Sequence, residues 1–285
     1  MSRRPVEVPG QQQSWPGTPA AMVPVPDHGE ESYVGRERLV GKRALVTGGD
    51  SGIGRATAIA FAKEGAEVAI SYLPQEQADA EATRSAVESA WGTCHLLPGD
   101  LRTREANLAL AEAALGALGG LEVLVCNAGF QMAHGELEDF PEGQLEQVFA
   151  TNVFSTFWLV QRLAGLLPAG GSVILTTSIQ AWDPSEPLLD YAATKAALNN
   201  LMVNLASMLG PRGVRVNAVA PGPIWTPLVV STFSEEKIAG FGTDTPLGRP
   251  GQPVEVAPAF VFLASDEASY VSGSVLGVTG GRAVF

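Results

Sequence analysis

From Lys42 onward the chain alternates seven short apolar runs, residues 44–47, 68–70, 95–97, 123–125, 172–175, 215–219 and 275–278, with longer stretches of helical character. Runs this short and this rich in Val, Ile and Leu read as strands buried on both faces, and a parallel pair needs a crossover segment of about helix length between its strands. The pattern therefore predicts an α/β protein built on a parallel sheet with helices on both faces. At 285 residues, with 46% hydrophobic residues, the chain is long enough for one large core. We expect a single domain over residues 39–285, preceded by a leader over residues 1–38.

The run at 44–47 leads into Thr47-Gly48-Gly49-Asp50-Ser51-Gly52-Ile53-Gly54-Arg55 and then a helical segment to Lys63, with Ile53, Ala56 and Ala60 on one face. Glycines at 48, 52 and 54 permit a tight turn and let a pyrophosphate approach the backbone amides at a helix N-terminus, where the dipole favours anions. A glycine-rich turn alone can be an ordinary connection; a strand before it and a helix after it make it a dinucleotide-binding candidate.

Ser178 follows the apolar run at 172–175 and so emerges at a strand's carboxyl end, where open α/β sheets bind ligands. Tyr191 and Lys195 stand four residues apart at the head of an alanine-rich helical run and share a helix face. A phenol with a pKa of about 10 is a poor acid or base at neutral pH, and a nearby ammonium favours the phenolate. Taken alone, a Tyr-x-x-x-Lys pair is usually a solvated surface pair, so the reading depends on its context.

Together these elements resemble the short-chain dehydrogenase/reductase family, from about residue 39 to 281. The Thr47-to-Gly54 segment matches the family's cofactor loop, Asp100 and its neighbour Leu101 the adenine contact, and Asn127-Ala128-Gly129 the motif ending the fourth strand. Asn152, Ser178, Tyr191 and Lys195 match its catalytic tetrad, and Pro221-Gly222-Pro-Ile224-Trp-Thr226 the segment that touches nicotinamide and pyrophosphate. The resemblance implies a Rossmann-type, doubly wound sheet of order 3-2-1-4-5-6-7, a homotetramer, and a variable substrate lid between Ile224 and Leu247. It also implies hydride transfer between a nicotinamide cofactor and a carbonyl or alcohol. In that scheme Ser178 and Tyr191 bond the substrate oxygen, Lys195 lowers the tyrosine pKa and binds ribose, and Asn152 holds a water. Within the family, the proline-rich leader and Ser178-Ile-Gln-Ala-Trp look like a bacterial subgroup labelled aldehyde reductases or stress-related oxidoreductases.

The second strand ends Ile70-Ser71-Tyr72-Leu73 with no carboxylate to accept the ribose hydroxyls of NAD. That favours NADP(H) and leaves NAD(H) open, with Tyr72 beside the adenosine and Arg55 the nearest basic candidate for a 2′-phosphate. Gln131, Trp182, Asp183, Leu188, Trp225 and Leu228 are expected to line the substrate pocket, a mixture that suits an aldehyde, a ketone or a sugar. The reading from a different class is a catalytically silent NADP(H)-binding regulator or scaffold.

A net charge of −12 argues against nucleic acid as a partner. Cys94 and Cys126 read as reduced core thiols, the three histidines show no metal-ligand spacing, and no apolar run is long enough for a membrane helix. Arg3-Arg4 lacks the apolar segment of an export signal, so a cytoplasmic protein is expected. The leader is either a disordered tail or, through the spaced anchors Trp15, Val23, Val25 and Tyr33, an extended arm docked on the body or on a neighbouring subunit; docking is the expectation.

Overall fold

The computed structural model of the protein describes residues 8–284; Arg3 and Arg4 lie outside them. The chain builds β1 (Arg43–Thr47), α1 (Gly52–Lys63), β2 (Glu67–Tyr72), α2 (Gln77–Ser89), β3 (Cys94–Pro98), α3 (Arg104–Leu118) and β4 (Val123–Cys126). There follow α4 (Gln144–Phe149), α5 (Ser155–Leu163), β5 (Ser172–Thr176), α6 (Leu189–Leu209), β6 (Arg215–Pro221), α7 (Pro227–Thr232), α8 (Glu235–Ala239), α9 (Pro253–Ala264) and β7 (Val275–Val278). The seven strands form one sheet in the order β3-β2-β1-β4-β5-β6-β7, every pair parallel. This is the doubly wound order expected, with all seven apolar runs inside strands.

Alternation along each strand divides the core. Ala44 and Val46 of β1 face the layer of α1, α2 and α9, whereas Leu45 faces the layer of α3, α5 and α6; Val123 and Val125 of β4 repeat the first face and Leu124 the second. Every residue of β5 and β6 is buried, as a central parallel strand covered on both sides requires. Cys94 and Cys126 are buried free thiols, and burial pushes each up to about 12.

The leader packs along the body as an arm. Glu64, fully buried at the end of α1, accepts from the Tyr33 hydroxyl at 2.5 Å, from the main-chain amides of Arg36 and Arg38, and from the Arg38 guanidinium. Burial acts to raise the Glu64 carboxyl, but the donors from Arg38 and Tyr33 outweigh it and take it down to about 2. Further upstream, Val8 and Met22 join Trp225, Val229, Val230 and Ile238 in a separate apolar cluster. Of the four expected anchors, Tyr33 is buried, whereas Trp15 is 37% exposed and Val23 and Val25 are more exposed still. Met22, which caps a short 3-10 turn at Pro19–Ala21, takes the inward place beside the outward Val23. Among the described residues, no helix is long and apolar enough to cross a membrane.

Candidate active site

A cleft of about 600 Å³ opens along the carboxyl ends of the strands. At one end stands the glycine-rich turn. Gly48 and Gly52 have φ of +63° and +50°, and a Cβ on Gly54 would sit 1.8 Å from the Gly48 carbonyl oxygen, so only glycine lets the first turn of α1 close on β1. Gly48, Asp50, Ser51, Gly52 and Ile53 line the cleft, whereas Gly54 packs behind the turn and shapes it. These features fit a dinucleotide: a helix N-terminus whose first turn is built on glycines and borders the cleft, and a cleft that leads away from it.

The wall continues through Tyr72, Leu73 and Glu76 after β2, Asp100, Leu101 and Arg102 after β3, and Asn127, Ala128 and Gly129 after β4. Asn127 is a crossbar: its Nδ2 donates to the carbonyls of Thr47 and Gly48 at 3.1 Å each, and its Oδ1 accepts from Thr176 Oγ1 at 3.2 Å. The side chain thus locks the ends of β1, β4 and β5 together. Pro221, Gly222, Ile224 and Thr226 complete this side of the cleft.

One sequence expectation changes here. Arg55 does not reach the cleft; its guanidinium donates to Glu30 of the leader at 2.9 Å. The basic group that lines the cleft beside Asp100 is Arg102, held by both carboxylate oxygens of that residue. Asp50 is buried at the same end, and burial raises its carboxyl; burial and the charge of Asp50 raise that of Glu76 as well.

At the other end stand Ser178, Tyr191 and Lys195, all buried and all lining the cleft. Lys195 Nζ donates to the Thr176 carbonyl at 2.8 Å and lies 5.2 Å from the centre of the Tyr191 ring. Burial pushes the phenol up to about 12, against a lowering hydrogen bond with Ser178, and pushes the Lys195 ammonium down to about 7. The sequence expectation was a phenol lowered by its lysine. In this state desolvation, which disfavours both charged forms, outweighs the attraction between them.

Asn152 lies in a single π-helical turn, Ala150–Phe154, between α4 and α5. Its Oδ1 accepts from the Phe130 amide at 2.7 Å, and its Nδ2 donates to the Phe130 carbonyl and to Thr194 Oγ1 at 3.0 Å each. With both ends of the amide occupied, the side chain holds the Gly129–Phe130 backbone beside Lys195 and does not face the cleft. A second buried network escaped sequence reading: Gln144 donates to Asp190 Oδ2 at 2.8 Å, and Asp190 Oδ1 accepts from the Tyr191 amide at 2.7 Å. No local motif marks that pair, which meets only in the folded chain.

Of the six expected pocket residues, Gln131, Leu188 and Leu228 line the cleft. Trp225 is fully buried and faces the leader, because it fills the apolar cluster under α7. Trp182 is half-buried outside the cleft wall, and Asp183 is engaged by Arg282, which itself lines the cleft. Phe130 is a wall residue that the sequence did not single out; Phe233 and Phe241, in the segment expected as a lid, and Trp15, expected as a leader anchor, line the wall as well.

Residues 48–283 match the family model described as enoyl-(acyl carrier protein) reductase. The chain is 52% identical to the oxidoreductase YghA of Escherichia coli, over 97% of this chain and 94% of that protein. It is 42% identical to the chloroplastic NADPH-dependent aldehyde reductase 1 of Arabidopsis thaliana, over 96% and 97%. Among solved structures, a short-chain dehydrogenase of Burkholderia cenocepacia in complex with NADP is similar with a TM-score of 0.79 and 33% identity, over 86% of this chain and 98% of that one. Sheet order, glycine turn, converging serine, tyrosine and lysine, and these matches agree: the chain belongs to the short-chain dehydrogenase/reductase family and is an NAD(P)-dependent oxidoreductase.

Proposed function

We propose that the protein is an NADP(H)-dependent reductase of aldehydes or ketones, running in reverse on the corresponding alcohols. The observation that carries this is the convergence of Ser178, Tyr191 and Lys195 at one end of a cleft whose other end is the glycine-rich helix N-terminus. When bound, the reduced nicotinamide supplies hydride to the carbonyl carbon. Ser178 and Tyr191 hold the carbonyl oxygen, and Tyr191 delivers its proton to that oxygen as negative charge develops there. A phenol pushed up to about 12 is fully protonated at neutral pH, which suits the reductive direction. Lys195 acts from beneath the ring and orients the cofactor ribose; Asn152 is a positioning residue for the backbone next to it.

NADP(H) is favoured because both the Arabidopsis relative and the Burkholderia structure carry it in their descriptions, and Arg102 offers a cation at the adenosine end. The regulator reading draws no support from the relatives, which are oxidoreductases. Cytoplasmic residence and a homotetramer complete the proposal, the second resting on the family resemblance alone.

The test follows NADPH absorbance with a panel of aldehydes, ketones and sugars. Tyr191→Phe should lower kcat by about 1000-fold or more while NADPH affinity stays within a factor of about two. Retained turnover in the variant rejects Tyr191 as the acid.

A further inference from the structure

The leader reaches the active-site cleft. Trp15 and Pro16 line it, and the Trp15 ring meets Phe130 edge-on, with centroids 5.4 Å apart and planes at 90°. Phe130 is the residue whose backbone Asn152 clamps on both sides, and it follows Gly129, where a Cβ would lie 3.8 Å from Lys195 Nζ. One aromatic ring therefore separates the leader from the backbone against which the reactive lysine rests. The arm is fixed there. The Gln13 amide donates to the Val230 carbonyl at 2.9 Å, the Gln13 side chain accepts from the Thr18 amide at 2.8 Å, and a Cβ on Gly17 would sit 3.1 Å from the Pro227 carbonyl. Both ends of the Trp15 turn are thus seated on α7, which opens the lid segment.

We propose that Trp15 is a specificity-determining residue, the outer wall of the substrate end of the cleft, and that it selects carbonyl compounds carrying an extended aliphatic or aryl substituent. The proposal rests on the reductase reading of the same cleft. The oxygen of such a substrate has Ser178 and Tyr191 to meet, and the rest of the molecule runs outward between Phe130, Leu228, Phe233 and Trp15. These faces are apolar, and Trp15 is still 37% exposed, leaving surface for a bulky substituent to cover. A short or heavily hydroxylated carbonyl does not extend to the indole and gains nothing from it. The solved Burkholderia enzyme is covered over 98% of its length by only 86% of this chain, whereas the Escherichia coli relative matches over 97% of it. The Escherichia coli relative thus matches almost the whole chain, whereas the Burkholderia fold leaves about a seventh of it unmatched.

The experiment compares the full-length protein with Trp15→Ala and Trp15→Phe. Three quantities are read: NADPH affinity by fluorescence titration, kcat/KM over straight-chain aldehydes from two to ten carbons plus benzaldehyde, and calorimetric binding of the matching alcohols to the NADP complex. Trp15→Ala should lose about tenfold or more in kcat/KM for the long and aryl members, through KM. It should lose less than about twofold for acetaldehyde, and bind NADPH as the parent does. Trp15→Phe should restore most of the loss, which a disordered lid would not allow. A uniform loss across the series, or none, overturns the proposal. If the parent turns over no carbonyl, the reductase reading fails separately. Alcohol binding then still decides Trp15, and equal affinities in parent and Trp15→Ala, or binding to neither, overturn it.

Discussion

The Trp225 indole Nε1 donates to the Pro24 main-chain carbonyl at 2.8 Å, tying the start of the lid segment to the leader across 201 positions of sequence. Met22, two residues before that carbonyl, is 1% exposed in the same cluster, so the underside of the lid is built partly from the leader. Deleting residues 1–24 should uncover Trp225 and lower the thermal midpoint by roughly 5–10 °C, from the loss of a buried methionine and its neighbours. Trp225→Phe should cost about 1–3 kcal/mol, measured by urea unfolding, because it removes one hydrogen bond and part of a buried ring. An unchanged midpoint in the deletion would show that the arm adds nothing to the fold.

Gly54→Ala tests the turn at the other end of the cleft. The added carbon would meet the Gly48 carbonyl oxygen at 1.8 Å, and backbone must move to admit it. We expect a loss of about 2 kcal/mol or more in stability and at least about tenfold in NADPH affinity, since the displaced amides are those proposed to face the pyrophosphate. Calorimetric titration and thermal unfolding of the same variant separate the two effects.

Lys195 is costly to the fold. Its folded pKa, about 7, lies below the ordinary 10.5, so the unfolded chain binds the proton more tightly. The penalty is fully present below pH 7 and fades as pH rises to 10.5. Lys195→Met should therefore stabilise the protein at pH 6 by ~1–3 kcal/mol, less than the full linkage because the Thr176 carbonyl loses its donor. The gain should vanish near pH 10–11, and reductase activity should fall by about 100-fold or more. Unfolding curves across this pH range supply the check.

Asp50 and Glu76 stand with raised pKa values at the end of the cleft proposed for the adenosine; both face Asp79, Glu76 also faces Asp50, and Arg55 lies near Asp50 and Asp79. An acid so raised is partly neutral at neutral pH and ionises as the medium becomes alkaline. Its charge would then repel a 2′-phosphate, so NADP affinity should fall with rising pH more steeply than NAD affinity. Glu76→Gln should flatten that dependence and favour NADP by about threefold or more above pH 8, in parallel titrations with both cofactors. Parallel pH profiles for NADP and NAD in the parent would contradict the assignment.

Sequence patterning carried the sheet because a parallel strand covered on both faces must be apolar throughout, and all seven apolar runs lie in strands. Gly48, Gly52, Ser178, Tyr191 and Lys195 could be picked out as residues of one cleft because local backbone geometry and short spacings along single elements place them there. Patterning failed for Trp225 and Arg55 because residue type alone does not say which way a side chain turns. The tryptophan went inward to Met22 and Pro24, and the guanidinium went to Glu30.

What the amino-acid order determined by itself is therefore the layered α/β architecture and the residue types that stand at the two ends of the cleft, since periodicity and i,i+4 spacing are properties of single elements. Only the tertiary structure decided what surrounds that chemistry. It brought Trp15 to Phe130 across more than a hundred residues, occupied both ends of the Asn152 amide, and raised the Tyr191 phenol instead of lowering it. Those outcomes depend on desolvation and on contacts between distant segments, and neither quantity is written in any local stretch of the chain.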